Sequence, residues 1–139
     1  MNLYTSKCLE FYNHKKPTVG TDKFLSFIKD KYSDISLFVL SGGETDEIEI
    51  FMKKNNLIHY FDDILASSKL KSRHLIDQKA TISDFFIGDS KSDLKMALNH
   101  PLNFILINGY QSKLSKPSKE DFKNISMVSP NLFNLIDFL

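Results

Sequence analysis

Residues 85–100, FFIGDSKSDLKMALNH, decide the fold. Three large apolar side chains and a glycine come first, which is typical of a strand buried on both faces of a parallel sheet. The residues after them have the length of a short helix, which Pro101 ends because a helix rarely continues through proline. Two acids, Asp89 and Asp93, lie where the strand gives way to the helix. The stretch therefore predicts a buried strand joined to a helix by an acidic turn.

The same alternation continues along the chain. Short apolar runs alternate with amphipathic segments, which indicates βαβ units and a parallel sheet covered on both faces. Residues 109–124 are polar and predict a loop with one short helical turn. Residues 36–43 predict a strand that ends in a turn at its small residues, and further strands are predicted at 61–67, 84–88, 103–108 and 125–129, the last at an edge. The predicted helices are 21–31, 44–56, 69–78, 90–100 and 130–139. Thr21 or Asp22 is predicted to cap the start of the first helix, and Asn55 or Asn56 to end the second. Ser129 is predicted as the N-cap of the last helix, with Pro130 at its first position.

Size, charge and cysteine content exclude several classes of protein. The chain has 139 residues, 42% hydrophobic and 25% charged, with a formal net charge of +1. This balance argues against a nucleic-acid partner. The single cysteine, Cys8, permits no intramolecular disulfide, and neither a signal peptide nor a membrane-spanning run is present. We therefore expect a cytoplasmic, single-domain α/β protein with no membrane partner.

Polar residues follow three of the predicted strands at their carboxyl ends. Ser41 and Gly42 follow the first, Lys69 and Lys71 follow the second, and Asp89 follows the third. The carboxyl ends of parallel strands meet at one edge of a sheet, where ligands bind. A hydroxyl with backbone amides at a helix start suits phosphate, a lysine neutralises phosphate oxygens, and carboxylates suit Mg²⁺. The sequence thus predicts phosphoryl-transfer chemistry at this edge.

The order of LFVLSGG, SSKLKSRHLI and FFIGDSKSDLKMA resembles the haloacid dehalogenase (HAD) superfamily of phosphohydrolases. The resemblance extends from about residue 19 to the end. It implies a Rossmann-like parallel sheet in which Ser41 and Lys71 are catalytic and bind phosphate together with Gly42, with Lys69 as the alternative lysine. It also implies that Asp89 holds Mg²⁺ and that Asp93 supports the ion directly or through water.

One part of the family pattern is missing. The family carries Asp-x-Asp on its first strand, which lies centrally between the strands with the serine and the Gly-Asp motif. The first aspartate is the nucleophile and the second is the general acid/base. No such motif precedes Ser41 here, since the early acids Glu10, Asp22, Asp30 and Asp34 follow no apolar strand. We expect an incomplete core, in which the central strand and most of the cap are absent. Residues 1–18 would be a remnant of a helical cap or a linker, and residues 19–139 the core.

The resemblance implies a Mg²⁺-dependent phosphomonoesterase acting on a small phosphorylated metabolite. Because the nucleophile is absent, we expect this chain alone to be inactive and to bind Mg²⁺ weakly or not at all. The strands bearing Ser41 and Asp89 would pair directly, or self-association or a further N-terminal segment would fill the gap between them. The alternative is a HAD-like module that binds without catalysing. An unrelated flavodoxin-like or receiver-like domain is a third hypothesis, which the motif order disfavours.

Overall fold

The computed structural model of the protein describes residues 2–5, 16–18, 20–66, 71–100, 102–109, 118–119 and 121–139. Strands and helices alternate as the sequence predicts. The strands are β1 (Asn2–Thr5), β2 (Ser36–Leu40), β3 (Asp63–Leu65), β4 (Phe85–Gly88), β5 (Asn103–Ile107) and β6 (Met127–Ser129). The α-helices are α1 (Thr21–Lys31), α2 (Thr45–Lys54), α3 (Lys71–Asp77), α4 (Lys91–Asn99) and α5 (Leu132–Leu135). Short 3₁₀ turns lie at Ile58–Tyr60, Asp121–Asn124 and Ile136–Phe138, the second being the helical turn predicted in the long loop.

All six strands form one sheet in the order β3-β2-β1-β4-β5-β6. Every neighbouring pair is parallel. This confirms the predicted Rossmann-like parallel α/β fold, with β6 at an edge. Strand order reverses between β1 and β4, and such a reversal is where open parallel sheets bind their ligands.

The central strand corrects one expectation. Residues 2–5, which the sequence assigns to a cap remnant or linker, form β1 between β2 and β4. In this register Thr5 lies opposite Val39 on one side and Ile87 on the other. The strands that lead to Ser41 and Asp89 therefore do not pair directly, and the chain fills the gap itself. The physical reason is that an empty slot would leave the facing backbone groups of β2 and β4 unpaired, which is costly inside a protein.

The core lies on both faces of the sheet. Alternate residues of each strand point to opposite faces, so Leu37 and Val39 join one buried cluster while Phe38 and Leu40 join the other. The first cluster includes residues of α1, α2 and α5, and the second includes residues of α3 and α4. Helices thus cover both faces, which explains why the strands read as continuous apolar runs.

The N-terminal caps differ from the prediction in two helices. The N-cap of α1 is Gly20 in the left-handed conformation, because the hydroxyl of Thr21 donates to the carbonyl of Thr18 at 2.7 Å instead of capping the helix. The N-cap of α5 is Asn131, whose side chain accepts from the amide of Asn134, and not Ser129. Short polar side chains compete locally for these backbone groups, so sequence alone ranks the caps poorly.

Two further helix features agree with the sequence. The helix α2 ends at Asn55 as predicted, and Asn56 takes the left-handed conformation with φ 56°. The longest described helix, α1, has 11 residues, whereas a membrane span needs about 20. No helix in the described part of the chain is long and apolar enough to cross a membrane.

Candidate functional site

Two strand-to-helix turns lie on either side of β1 at the carboxyl edge of the sheet. The β2–α2 turn (residues 41–44) contains Ser41, and the β4–α4 turn (residues 89–90) contains Asp89. Neighbouring strands are about 4.8 Å apart, so β2 and β4 are separated by on the order of 10 Å. The structure therefore brings these two distant positions to the same edge, close enough to contact one small ligand.

The β2–α2 turn keeps its serine buried and its glycine open. Ser41 is 1% exposed, its amide donates to the carbonyl of Leu65 at 3.1 Å, and its hydroxyl oxygen accepts from the amide of Gly43 at 3.0 Å. Gly42 is exposed, and a side chain there would meet no atom within 4 Å. A ligand can therefore approach the backbone of this turn at Gly42.

The start of α2 adds both attraction and repulsion for an anion. The N-cap residue Glu44 makes no side-chain cap hydrogen bond, and the backbone amides at a helix start carry positive potential. Asp46 and Glu47 lie in the first turn, and their charges oppose that potential. The turn can thus accept a phosphate group, but with modest affinity unless a cation assists.

The predicted phosphate-binding lysine is described only in part. Lys71 is the first residue of α3, in the crossover between β3 and β4. Lys69, the alternative, lies outside the described residues. The role of either lysine at the carboxyl edge stays a prediction.

The β4–α4 turn is built around a ring of hydrogen bonds. The Ser90 hydroxyl donates to Asp93 Oδ2 at 2.8 Å, and Ser90 Oγ accepts from the Asp93 amide at 3.2 Å. The amide of Asp89 also points to Asp93 Oδ2, at a long 3.4 Å. Ser90 is the N-cap of α4, so this ring fixes the first turn of the helix against the end of β4.

Gly88 lets Asp93 approach the end of β4. A Cβ atom at residue 88 would lie 2.7 Å from Asp93 Cβ and 2.8 Å from its Oδ2, closer than non-bonded atoms can pack. Asp93 is 1% exposed, whereas Asp89 is only partly buried. The two acids that the sequence pairs as metal ligands therefore occupy different environments.

The two acids of the β4–α4 turn differ in how they could contact Mg²⁺. Mg²⁺ requires octahedral oxygen coordination, usually from one or two carboxylates with several waters. Asp93 is buried inside the turn, and its Oδ2 accepts from Ser90, whereas Asp89 is half-buried, with its Oδ1 shielded from solvent. Within the described ranges, no three residues of the His, Cys, Asp and Glu types cluster as metal ligands. The metal roles predicted for Asp89 and Asp93 stay predictions.

Sequence reasoning overlooked Ser90. This residue precedes a helix and is followed three positions later by an acid, which is close to the capping-box pattern in which a serine and an acidic residue satisfy each other. The sequence contains this capping signal, but the resemblance of Gly88-Asp89 and Asp93 to the family motif favoured metal binding as the role of Asp93.

Comparison with known proteins places the fold. No family model matches the chain, and no curated protein matches it. Among solved structures, a predicted phosphoglycolate phosphatase from Haemophilus somnus aligns with TM-score 0.74 and 14% identity, covering 91% of this chain and 58% of that chain. A haloacid dehalogenase-like family hydrolase from Streptococcus pneumoniae aligns with TM-score 0.67 and 16% identity, covering 88% of this chain and 60% of that chain.

A third solved structure, a HAD-superfamily hydrolase from Ehrlichia chaffeensis, aligns with TM-score 0.65 and 20% identity, covering 91% of this chain and 60% of that chain. The chain has the fold of the HAD-superfamily hydrolase core, which confirms the resemblance at the level of fold. It spans about 60% of the length of the solved structures it matches, so it corresponds to part of that architecture.

Proposed function

We propose that this chain is a HAD-like hydrolase core of the phosphomonoesterase type, which binds phosphorylated small molecules but does not complete their hydrolysis by itself. The binding half of the proposal is supported by the β2–α2 turn. Its exposed Gly42 and the uncapped start of α2 offer backbone amides at the carboxyl edge, where parallel sheets bind ligands.

The position of β1 carries the second half of the proposal. In the family that the sequence resembles, the nucleophilic aspartate follows the central strand, between the strands with the serine and the Gly-Asp motif. Here β1 has that position, and the sequence after it, Ser6-Lys7-Cys8-Leu9, contains no acid before Glu10. A covalent nucleophile supplies a chemical step that tighter binding cannot replace. Turnover would therefore need an acid from another segment or another chain.

The proposed roles follow from the chemistry of each group. The backbone of Gly42 and the hydroxyl of Ser41 would bind phosphate oxygens, and Lys71 would neutralise their charge. Asp89 would face the ligand from the other side of β1. Mg²⁺, which HAD hydrolases generally use, would bind weakly to this chain, because the family's first-motif acids, which would add ligands beside Asp89, are not found before Ser41.

Titration with inorganic phosphate, followed by NMR or calorimetry, tests the binding half. We expect weak saturable binding, with chemical-shift changes at residues 41–45, and Ser41→Ala should lower the affinity about tenfold. The matched control is Ser36→Ala, since Ser36 begins β2 at its amino end, whereas Ser41 follows the carboxyl end of that strand. Absence of binding, or equal losses in the two variants, would contradict the proposed site.

Hydrolysis of p-nitrophenyl phosphate in the presence of Mg²⁺ tests the other half. We expect no turnover above buffer, even at millimolar Mg²⁺. Turnover that disappears in Asp89→Asn would overturn the proposal, because the chain would then contain a complete catalytic site.

A further inference from the structure

We infer that Asp93 is a positioning residue, which locks the β4–α4 turn and holds Asp89 at the carboxyl edge, and is not a metal ligand. The inference rests on the proposed function only for the role of Asp89 at the ligand. We call the hydrogen bonds of Asp93 with Ser90 and with the Asp89 amide the lock. The lock is a property of the turn alone, and it gives Asp93 a structural role.

The first argument is the arrangement of hydrogen bonds. Ser90 has one hydroxyl proton, which it donates to Asp93 Oδ2 at 2.8 Å. The Ser92 hydroxyl, 2.9 Å away, must then donate to Ser90 Oγ, which also accepts from the Asp93 amide. Ser90 and Asp93 thus hydrogen-bond each other in both directions, with Ser92 donating to Ser90, and side-chain networks of this kind stiffen the backbone that carries them.

The second argument is space. Asp93 is 1% exposed, and Gly88 is close enough to its side chain that even a Cβ atom would overlap it. A Mg²⁺ ion keeps several water molecules when protein supplies few ligands. Such a hydrated ion needs open volume beside the oxygen it binds, and the packing around Asp93 on the Gly88 side offers none.

The third argument concerns what the lock controls. Asp93 Oδ2 also lies 3.4 Å from the amide of Asp89, so the backbone that presents the Asp89 side chain is tied to the first turn of α4. Without this tie, the turn would have to be ordered when a ligand binds, and that ordering weakens affinity. Asp93 would thus act on ligand binding through Asp89.

Amide hydrogen exchange on the full chain tests the lock without any ligand. In Asp93→Asn, the new amide oxygen can still accept from Ser90 and from the Asp89 amide, so protection of the Asp89 amide should stay within about threefold of wild type. In Asp93→Ala, the acceptor is gone and exchange at Asp89 should accelerate about tenfold. Equal protection in wild type and Asp93→Ala would overturn the inference.

A second variant covers the case in which Asp93→Ala does not fold. Ser90→Ala keeps the carboxylate but removes the acceptor for the Asp93 amide, so exchange at Asp93 should accelerate about tenfold. Ser92→Ala is the matched control, because it leaves both bonds between residues 90 and 93 in place and should change exchange by less than about threefold. Unchanged exchange at Asp93 in Ser90→Ala would also overturn the inference.

Titration with Mg²⁺ alone and with inorganic phosphate separates the lock from a ligand role. A lock predicts that Asp93→Asn binds both as wild type does, while Asp93→Ala binds phosphate more weakly. If Asp93→Asn keeps the Asp89 protection but loses Mg²⁺ binding as fully as Asp93→Ala, Asp93 is a metal ligand and the inference is wrong. A wild-type chain that binds no phosphate overturns the proposed function, yet the exchange results still decide the lock.

Discussion

The two turns that flank β1 are built in opposite ways, although each joins a parallel strand to a helix. In the β2–α2 turn, a side chain on Gly42 would meet nothing within 4 Å, and the serine accepts one local amide. In the β4–α4 turn, a side chain on Gly88 would overlap Asp93, and Ser90 is hydrogen-bonded to that acid. One turn is open to solvent and the other is filled by its own side chains.

The glycines of the two turns have different roles. The backbone φ of neither Gly42 nor Gly88 lies in the left-handed region, so neither glycine is required by its backbone conformation. Gly88 is required because Asp93 packs where a side chain would be, whereas Gly42 leaves room for a ligand. The same residue type thus serves internal packing on one side of β1 and access on the other.

Replacing Gly88 by alanine should break the closed turn and have the largest effect. The added methyl group must displace Asp93 or the end of β4, and overpacking of this kind costs roughly 2–3 kcal/mol. Urea unfolding measures the loss. A change below about 0.5 kcal/mol would mean that the turn is looser than the contact between Gly88 and Asp93 implies.

Replacing Ser41 by alanine should have an intermediate effect on stability. The half-buried amide of Gly43 would lose its hydroxyl acceptor, which costs about 1 kcal/mol. The same denaturant series reports this value. A loss as large as that of Gly88→Ala would show that the β2–α2 turn is as tightly constrained as its counterpart.

Replacing Gly42 by alanine should change stability by less than about 0.5 kcal/mol, or raise it slightly, because the site is open and the unfolded chain loses freedom. Phosphate affinity should still fall, since the methyl group covers the backbone of the turn. This variant is the matched control for Gly88→Ala. Equal destabilisation by the two alanines would remove the contrast between the turns.

A smaller effect, away from both turns, concerns Tyr60. Burial raises the pKa of Tyr60, and its hydrogen bond to Asp22 raises it further. The folded state therefore holds this proton more tightly, so the contribution to stability is complete below the unfolded pKa of about 10. It is lost as pH rises through the raised folded value.

Stability measured between pH 9 and 11 checks this effect. Tyr60→Phe should lose less stability over that range than wild type, and Asp22→Asn should lie between them because burial of Tyr60 remains. Parallel curves for wild type and Tyr60→Phe would contradict the assignment. The turn variants remove neither the Tyr60 hydroxyl nor the Asp22 carboxylate, so they should keep the wild-type slope.

Much of the sheet could be predicted because its signals are local. The run Phe85–Gly88 is apolar, short and followed by a helix pattern, and the run Ser36–Leu40 is similar. Buried parallel strands need such continuous apolar runs. The helix α1 was predicted at its observed bounds of Thr21–Lys31, since its apolar residues recur with helical spacing.

The candidate site was predicted in outline only. The sequence placed Ser41 and Asp89 at one edge, since carboxyl ends of parallel strands converge. It could not reveal that Asp93 turns inward, because an acid near a helix start is equally suited to a metal, to solvent or to a capping network. Only the proximity of Gly88 and Ser90 separates these alternatives.

The sequence by itself determined the alternation of strands and helices, the apolar faces and the absence of an acid close after residue 5. Tertiary structure alone decided that Asn2–Thr5 is the central strand. Four residues carry too little pattern to be recognised as a strand, and their pairing partners are more than thirty positions away. These residues become a strand because the facing backbone groups of β2 and β4 need hydrogen-bond partners. Those groups face each other only once the sheet has formed.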